Sequence, residues 1–222
     1  MQFLIVGFGG ALRGEQLQAP PPKFRVAFAN STAQVSQNPA PSSTTMFKRA
    51  KGMNYRGFFR RIHEAHAFEW YLEIGCRNGR ILDLVQGKTI GVDPVFRLEK
   101  PLLGRKPQLH LFQETSDSFF AANRLEALGA RPTIAFIDGM HLFEYALRDI
   151  LNTEAHADPD GVIFVHDCCP FSIEMTTRDL HNLPDIWTGD VWKLIPILSE
   201  YRPDLKVSVL DARPTGLLAI TG

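Results

Sequence analysis

Short apolar runs alternate with amphipathic stretches along most of the chain, and each run stops on a polar residue. The runs Tyr71-Leu72-Glu73-Ile74, Thr89-Ile90-Gly91-Val92, Leu109 to Phe112, Thr133 to Ile137 and Gly161 to Val165 predict five strands. A short helical segment is expected from Arg80 to Val85. One helix is expected over Ser116 to Gly129, with Phe119, Phe120 and Leu125 on its apolar side. Another, after His141, turns Leu142, Tyr145, Ala146 and Ile150 inward. Ahead of the first strand, the basic segment Phe47 to His66 carries Phe58, Phe59, Ile62 and Ala65 at helical spacing. Behind the fifth strand come a polar loop (Phe171 to Thr188), a helix from about Asp190 to Tyr201, and two late runs, Lys206 to Leu210 and Leu217 to Thr221. This alternation predicts an α/β, Rossmann-like, mostly parallel seven-stranded sheet with helices on both faces and an antiparallel C-terminal hairpin.

The first 45 residues stand apart. Ser31 to Thr45 is rich in Ser, Thr, Gln, Asn and Pro, a composition that cannot bury enough apolar surface to order itself. Phe3 to Gly14 reads as a strand and glycine turn, but Gly7-x-Gly9 meets Leu12 where a dinucleotide fingerprint needs its third glycine. Residues 1–45 are therefore expected to be a poorly ordered extension, and residues 46–222 the folded domain.

Charge and cysteine narrow the picture. Lys plus Arg and Asp plus Glu both number 24 and the isoelectric point is about 7.1, which argues against a broad basic face for nucleic acid or an anionic membrane. No apolar run approaches the ~18 residues of a spanning helix, and the N-terminus lacks the basic region of an export signal. Cys76, Cys168 and Cys169 are too few and badly spaced for a disulfide framework, and buried thiol packing is expected of them. A reducing cytoplasm is the expected compartment.

The chemistry gathers where strands end. Glu73-x-Gly75-x-x-x-Gly79 follows the first strand and Asp93 closes the second, placing an acid, a glycine turn and a second acid at the carboxyl edge of a βαβ unit. An acid there can accept ribose hydroxyls, whereas a dinucleotide site would read G-x-G-x-x-G. The stretch resembles motif I of the class I S-adenosylmethionine-dependent methyltransferases, with Arg77 where a glycine is commoner. Phe136-Ile137-Asp138-Gly139-x-His141 looks like the strand-four signature of a single-domain family within that class, and the likeness runs from about Phe47 to Gly222. It implies S-adenosyl-L-methionine as cofactor, with Glu73 near its methionine part, Gly75, Cys76 and Gly79 in the turn, Asp93 on the ribose, Glu114 and Thr115 near the adenine, and Asp138 beside them.

Asp138 and Asp167 end consecutive strands and should converge, bringing His141 and His166 with them. The pattern is similar to metal-dependent O-methyltransferases of catechols and antibiotic sugars. That likeness implies a divalent metal (Mg or Mn) on Asp138, His166 and Asp167, the imidazole leaving room for iron or zinc. His141, with Asp138, is the candidate general base because its pKa lies near neutrality. The expected acceptor is an oxygen of a small molecule or sugar, with no nucleic acid and no membrane as partner and a homodimer left open. Two rivals are a non-catalytic nucleoside-binding module or partner subunit, and a nicotinamide-dependent oxidoreductase. The segment Trp187 to Lys193 reads either as a helix cap with Trp192 in the core or as a substrate lid.

Overall fold

The computed structural model describes residues 48–222, so the expectations for residues 1–45 lie outside the described residues. Seven strands form one sheet in the order β3-β2-β1-β4-β5-β7-β6. They are β1 (Trp70–Ile74), β2 (Lys88–Val92), β3 (Leu109–Phe112), β4 (Ile134–Ile137), β5 (Val162–His166), β6 (Lys206–Leu210) and β7 (Leu217–Thr221). The first five are parallel, and β7 runs antiparallel between β5 and β6. The α/β class, the mostly parallel sheet and the closing hairpin are as the sequence predicts. Strand order reverses between β1 and β4, the place where open α/β sheets leave a crevice at their carboxyl ends.

The helices are unevenly shared between the faces. Leu72, Ile74, Ala135, Ile137 and Val165 point to one side, against α2 (Ser116–Ala121), α3 (Arg124–Leu128), α4 (Phe143–His156) and α5 (Leu194–Tyr201). Tyr71, Ile134, Phe136 and Phe164 point to the other, where among the described residues α1 (Tyr55–Ala65), through Phe59, and a three-residue 3-10 turn (Leu82–Leu84) cover them, with Leu102 of the 94–106 loop. The two-residue alternation of a strand separates these sets. By the same parity Glu73, Asp138 and His166 belong to the α1 face.

Three helical predictions change. The single helix over 116–129 breaks at Asn123, which takes a left-handed backbone (φ 49°) between α2 and α3. Asparagine tolerates that conformation, so the break needs no glycine. Helix α1 begins only at Tyr55, where the Asn54 side chain accepts the Arg56 N–H. The Asp190–Tyr201 helix opens with a separate 3-10 turn (Val191–Lys193). Among the described residues no helix is long and apolar enough to cross a membrane.

Candidate functional site

The turn after β1 is built around Gly75. Its φ of +87° is in the region L side chains rarely adopt, and a Cβ there would lie 2.0 Å from the Asp138 carbonyl oxygen. Glycine is thus demanded by the contact of two backbones across the switch point, besides any ligand. Arg77, where a glycine is commoner, is itself left-handed (φ 40°), and its N–H donates to Asp93 Oδ2 at 2.7 Å. Asp93 Oδ1 accepts the Val95 N–H, also at 2.7 Å, so this buried carboxylate holds the turns after both β1 and β2. Gly79 (φ +72°) lies under the Leu102 and Leu98 side chains.

Glu73 is buried and accepts a 2.9 Å hydrogen bond from the Tyr71 hydroxyl. Burial pushes its carboxyl well above the usual range, aided by the nearby charges of Asp138 and Asp93 and opposed by the Tyr71 bond. Cys76 is buried, and its thiol donates to the Glu73 carbonyl at 3.2 Å. Glu114 and Thr115 follow β3, beside the β2 end that carries Asp93. Glu114 pairs with Arg124 at 3.1 Å, and the exposed Thr115 caps α2 by accepting the Ser118 N–H. Those side chains already have structural partners.

The structure does bring Asp138, His141, His166 and Asp167 together. Phe136 of β4 pairs with Phe164 of β5, so two residues on Asp138 comes opposite His166, and His166 Nδ1 lies 3.2 Å from Asp138 Oδ1. Asp167, turned by a left-handed backbone (φ 62°), places Oδ2 3.2 Å from His141 Nδ1. His141 Nδ1 also donates to the Trp187 carbonyl at 2.8 Å, which leaves Nε2, 3.5 Å from Asp138 Oδ1, as the nitrogen available to a ligand. One donor atom from each of Asp138, His141 and Asp167 falls within 4.8 Å of the others. That set contains His141 where the sequence reading has His166.

These charges balance one another. Burial opposes ionisation of Asp138, yet His166 and His141 hold its carboxyl well below the usual range. Burial likewise pulls His141 down, but the Asp138 hydrogen bond and the Asp167 charge raise it to about 9. His166 is raised well above its usual value by Asp138 and Asp167, again against burial. The upward direction at His141 favours its imidazolium form, the poorer general base.

Several neighbours could not be read from local pattern. Thr215, in the β6–β7 connection, donates from Oγ1 to Asp167 Oδ1 at 2.5 Å. Tyr55, opening α1, sets its ring 4.3 Å from that of His166. Trp187 stacks on His141 at 5.0 Å, whereas Trp192 is 39% exposed and outside the core. Asp190 stands at the N-cap position of the Val191–Lys193 turn but makes no side-chain cap bond to it. Its carboxylate instead accepts the Phe143 N–H at 2.7 Å at the start of α4 and binds Arg178 and Lys193, so the cap is on a different helix from the one the sequence predicts.

Solved structures share this architecture. Cofactor-bound Rv0187 from MTB superposes with a TM-score of 0.55 at 12% identity, over 83% of each chain. An O-methyltransferase from Bacillus cereus in complex with SAH gives 0.55 at 12% identity, over 79% of this chain and 84% of that one. The O-methyltransferase TomG from Streptomyces achromogenes, in complex with SAM, gives 0.51 at 14%, over 76% and 80%. At such identities the likeness is one of fold. No curated protein matches the sequence. The family model described as a methyltransferase domain matches residues 50–168, which span the glycine turn, both acids that close β1 and β2, and the Asp138–Asp167 cluster; the chain belongs to this methyltransferase family.

Proposed function

We propose that the protein transfers the methyl group of S-adenosyl-L-methionine to an oxygen of a small molecule or sugar, with a divalent cation at Asp138, His141 and Asp167. The observation that carries this reading is the convergence of those three donors at the ends of β4 and β5, one loop away from the Gly75 turn. The cofactor would lie over the ends of β1 to β4, with Glu73, Gly75, Cys76, Gly79 and Asp93 beneath it and Glu114 and Thr115 at its far end. Its sulfonium presents a methyl carbon for in-line attack: the acceptor oxygen bonds to carbon, the carbon–sulfur bond breaks with its electrons going to sulfur, and the acceptor proton must leave.

Two carboxylates and an imidazole make a hard, partly nitrogen donor set that suits magnesium, manganese or iron. A cation there would lower the pKa of a coordinated hydroxyl. Trp187 and Asp167 hold the His141 ring in place, and Thr215 anchors Asp167. His166 sits behind the set against Asp138, where it orients that carboxylate. Ligation suits His141 better than unassisted base catalysis, since its Nε2 lies 3.5 Å from Asp138 Oδ1 while Nδ1 is held by the Trp187 carbonyl and Asp167.

The test is methyl-label transfer from S-adenosyl-L-methionine to a small-molecule extract. Chelation is expected to abolish transfer, added magnesium or manganese to restore it, and Asp167→Asn to need far more metal for the same rate. Full turnover in metal-free protein would remove the cation from the site. Thermal-shift measurements with S-adenosylhomocysteine, NAD and ATP are expected to show stabilisation by the first alone, and stabilisation by NAD would favour the oxidoreductase rival.

A further inference from the structure

The chain is neutral overall, but its charge is not evenly laid out. Residues 48–106 contain thirteen Lys and Arg against six Asp and Glu, while residues 107–222 contain eight against seventeen. The basic part supplies β1 and β2, on one side of the switch point between β1 and β4, and α1, which packs across it onto Phe136 and Phe164. Within it, α1, the turn holding Gly79 and the 94–106 loop enclose a cavity of about 240 Å³. Arg56, Arg60, Arg80 and Lys100 line it, and its acids are Asp83 and Glu99.

Arg56 and Arg60 stand four residues apart on α1 and so share a helix face. Arg80 meets Glu99 at 3.6 Å, both side chains about half exposed, a contact weak enough for an anionic ligand to displace. Among the described residues, Arg60 and Lys100 have no carboxylate partner within salt-bridge distance, unlike Arg148, Arg178 and Arg202 elsewhere on the molecule. Pockets for whole drug-sized ligands run to about 300–1,000 Å³, so this cavity suits a single anionic group. Guanidinium forks match phosphate oxygens in pairs. Helix α1 links the cavity to the candidate site, for Arg56 follows Tyr55, whose ring packs on His166.

We propose that this cavity is the phosphate subsite of the acceptor: the molecule methylated carries a phosphate or diphosphate group, held by Arg56, Arg60, Arg80 and Lys100 while its hydroxyl reaches the Asp138 cluster. The acceptor assignment rests on the methyltransferase reading; the anion site does not.

Calorimetry on the full chain decides it, with inorganic phosphate and inorganic pyrophosphate as probes. Pyrophosphate is expected to bind, and the double variant Arg56→Gln/Arg60→Gln to weaken it roughly tenfold or more, the loss of charge-assisted hydrogen bonds. Arg61→Gln/Arg105→Gln, on the same basic half but outside the cavity, should change it little. S-adenosylhomocysteine should bind both double variants as it binds the parent, which also verifies folding, and should bind together with pyrophosphate. Absence of pyrophosphate binding, equal loss in both double variants, or competition with S-adenosylhomocysteine would each overturn the proposal. If S-adenosylhomocysteine binds none of the proteins, the methyltransferase reading fails while the pyrophosphate result still judges the cavity, with folding then checked by circular dichroism. Phosphatase treatment of the extract should abolish the labelled acceptor, and survival of that label would overturn the acceptor assignment.

Discussion

Replacing Gly75 by alanine tests the junction on which both halves of the site depend. The added methyl would start 2.0 Å from the Asp138 carbonyl oxygen, 2.4 Å from its carbon and 2.6 Å from Gly139 Cα. All three are backbone atoms, and reaching ordinary contact requires the β1 turn and the β4 end to separate by about 1.4 Å. Left-handed backbone costs a non-glycine residue about 1–2 kcal/mol, and overpacking of this kind typically adds about 1–3 kcal/mol. The expected loss is therefore about 2–5 kcal/mol, or roughly 4–20 °C in Tm for a domain of this size. Gly79→Ala makes the control. It meets the same left-handed penalty (φ +72°), but its methyl would meet only the ends of the Leu102 and Leu98 side chains, which can move. Thermal unfolding of both variants should show the larger loss at Gly75. Methyl transfer should fall further than the fraction unfolded explains, since Asp138 moves with its carbonyl and a shift of about 1 Å can cost roughly 100-fold in rate. A Gly75→Ala protein as stable as Gly79→Ala would refute the close approach of the two backbones.

Two further outcomes follow from buried polar groups. His63 is caged by Phe59, Phe68 and Tyr71, and burial, with Lys106 nearby, lowers it from 6.5 to about 4. Since the unfolded chain takes up this proton first as pH falls, stability should drop by about 3 kcal/mol between pH 6.5 and 4 and level off below; urea unfolding of His63→Phe should lack that component, and an unchanged pH profile would count against the burial argument. Asp93→Ala removes the acceptor of two 2.7 Å backbone amide bonds, so it should cost about 2–4 kcal/mol in urea unfolding and weaken S-adenosylhomocysteine by about 1–3 kcal/mol. Unchanged affinity in the folded variant would take Asp93 off the cofactor.

What the sequence determined by itself is the architecture and the roster of strand ends. Strand and helix periods are local, and β-branched runs that finish on Glu73, Asp93, Asp138 and Asp167 announce a parallel sheet with its polar groups on one edge. Even the pairing of Asp138 with His166 was latent there, since both lie two residues beyond Phe136 and Phe164, which the β4–β5 register sets side by side. Tertiary structure decided the rest, because it depends on contacts between distant segments. Thr215 reaches Asp167 only once β7 inserts beside β5, and Trp187 covers His141 only once the 171–189 loop folds back through Thr188 and Gly189 onto Met175. No local period encodes either approach. The geometry of the donor set has the same cause: residue spacing puts both imidazoles near the carboxylates, and only the folded chain brings His141 Nδ1 onto Asp167 Oδ2 and His166 Nδ1 onto Asp138 Oδ1.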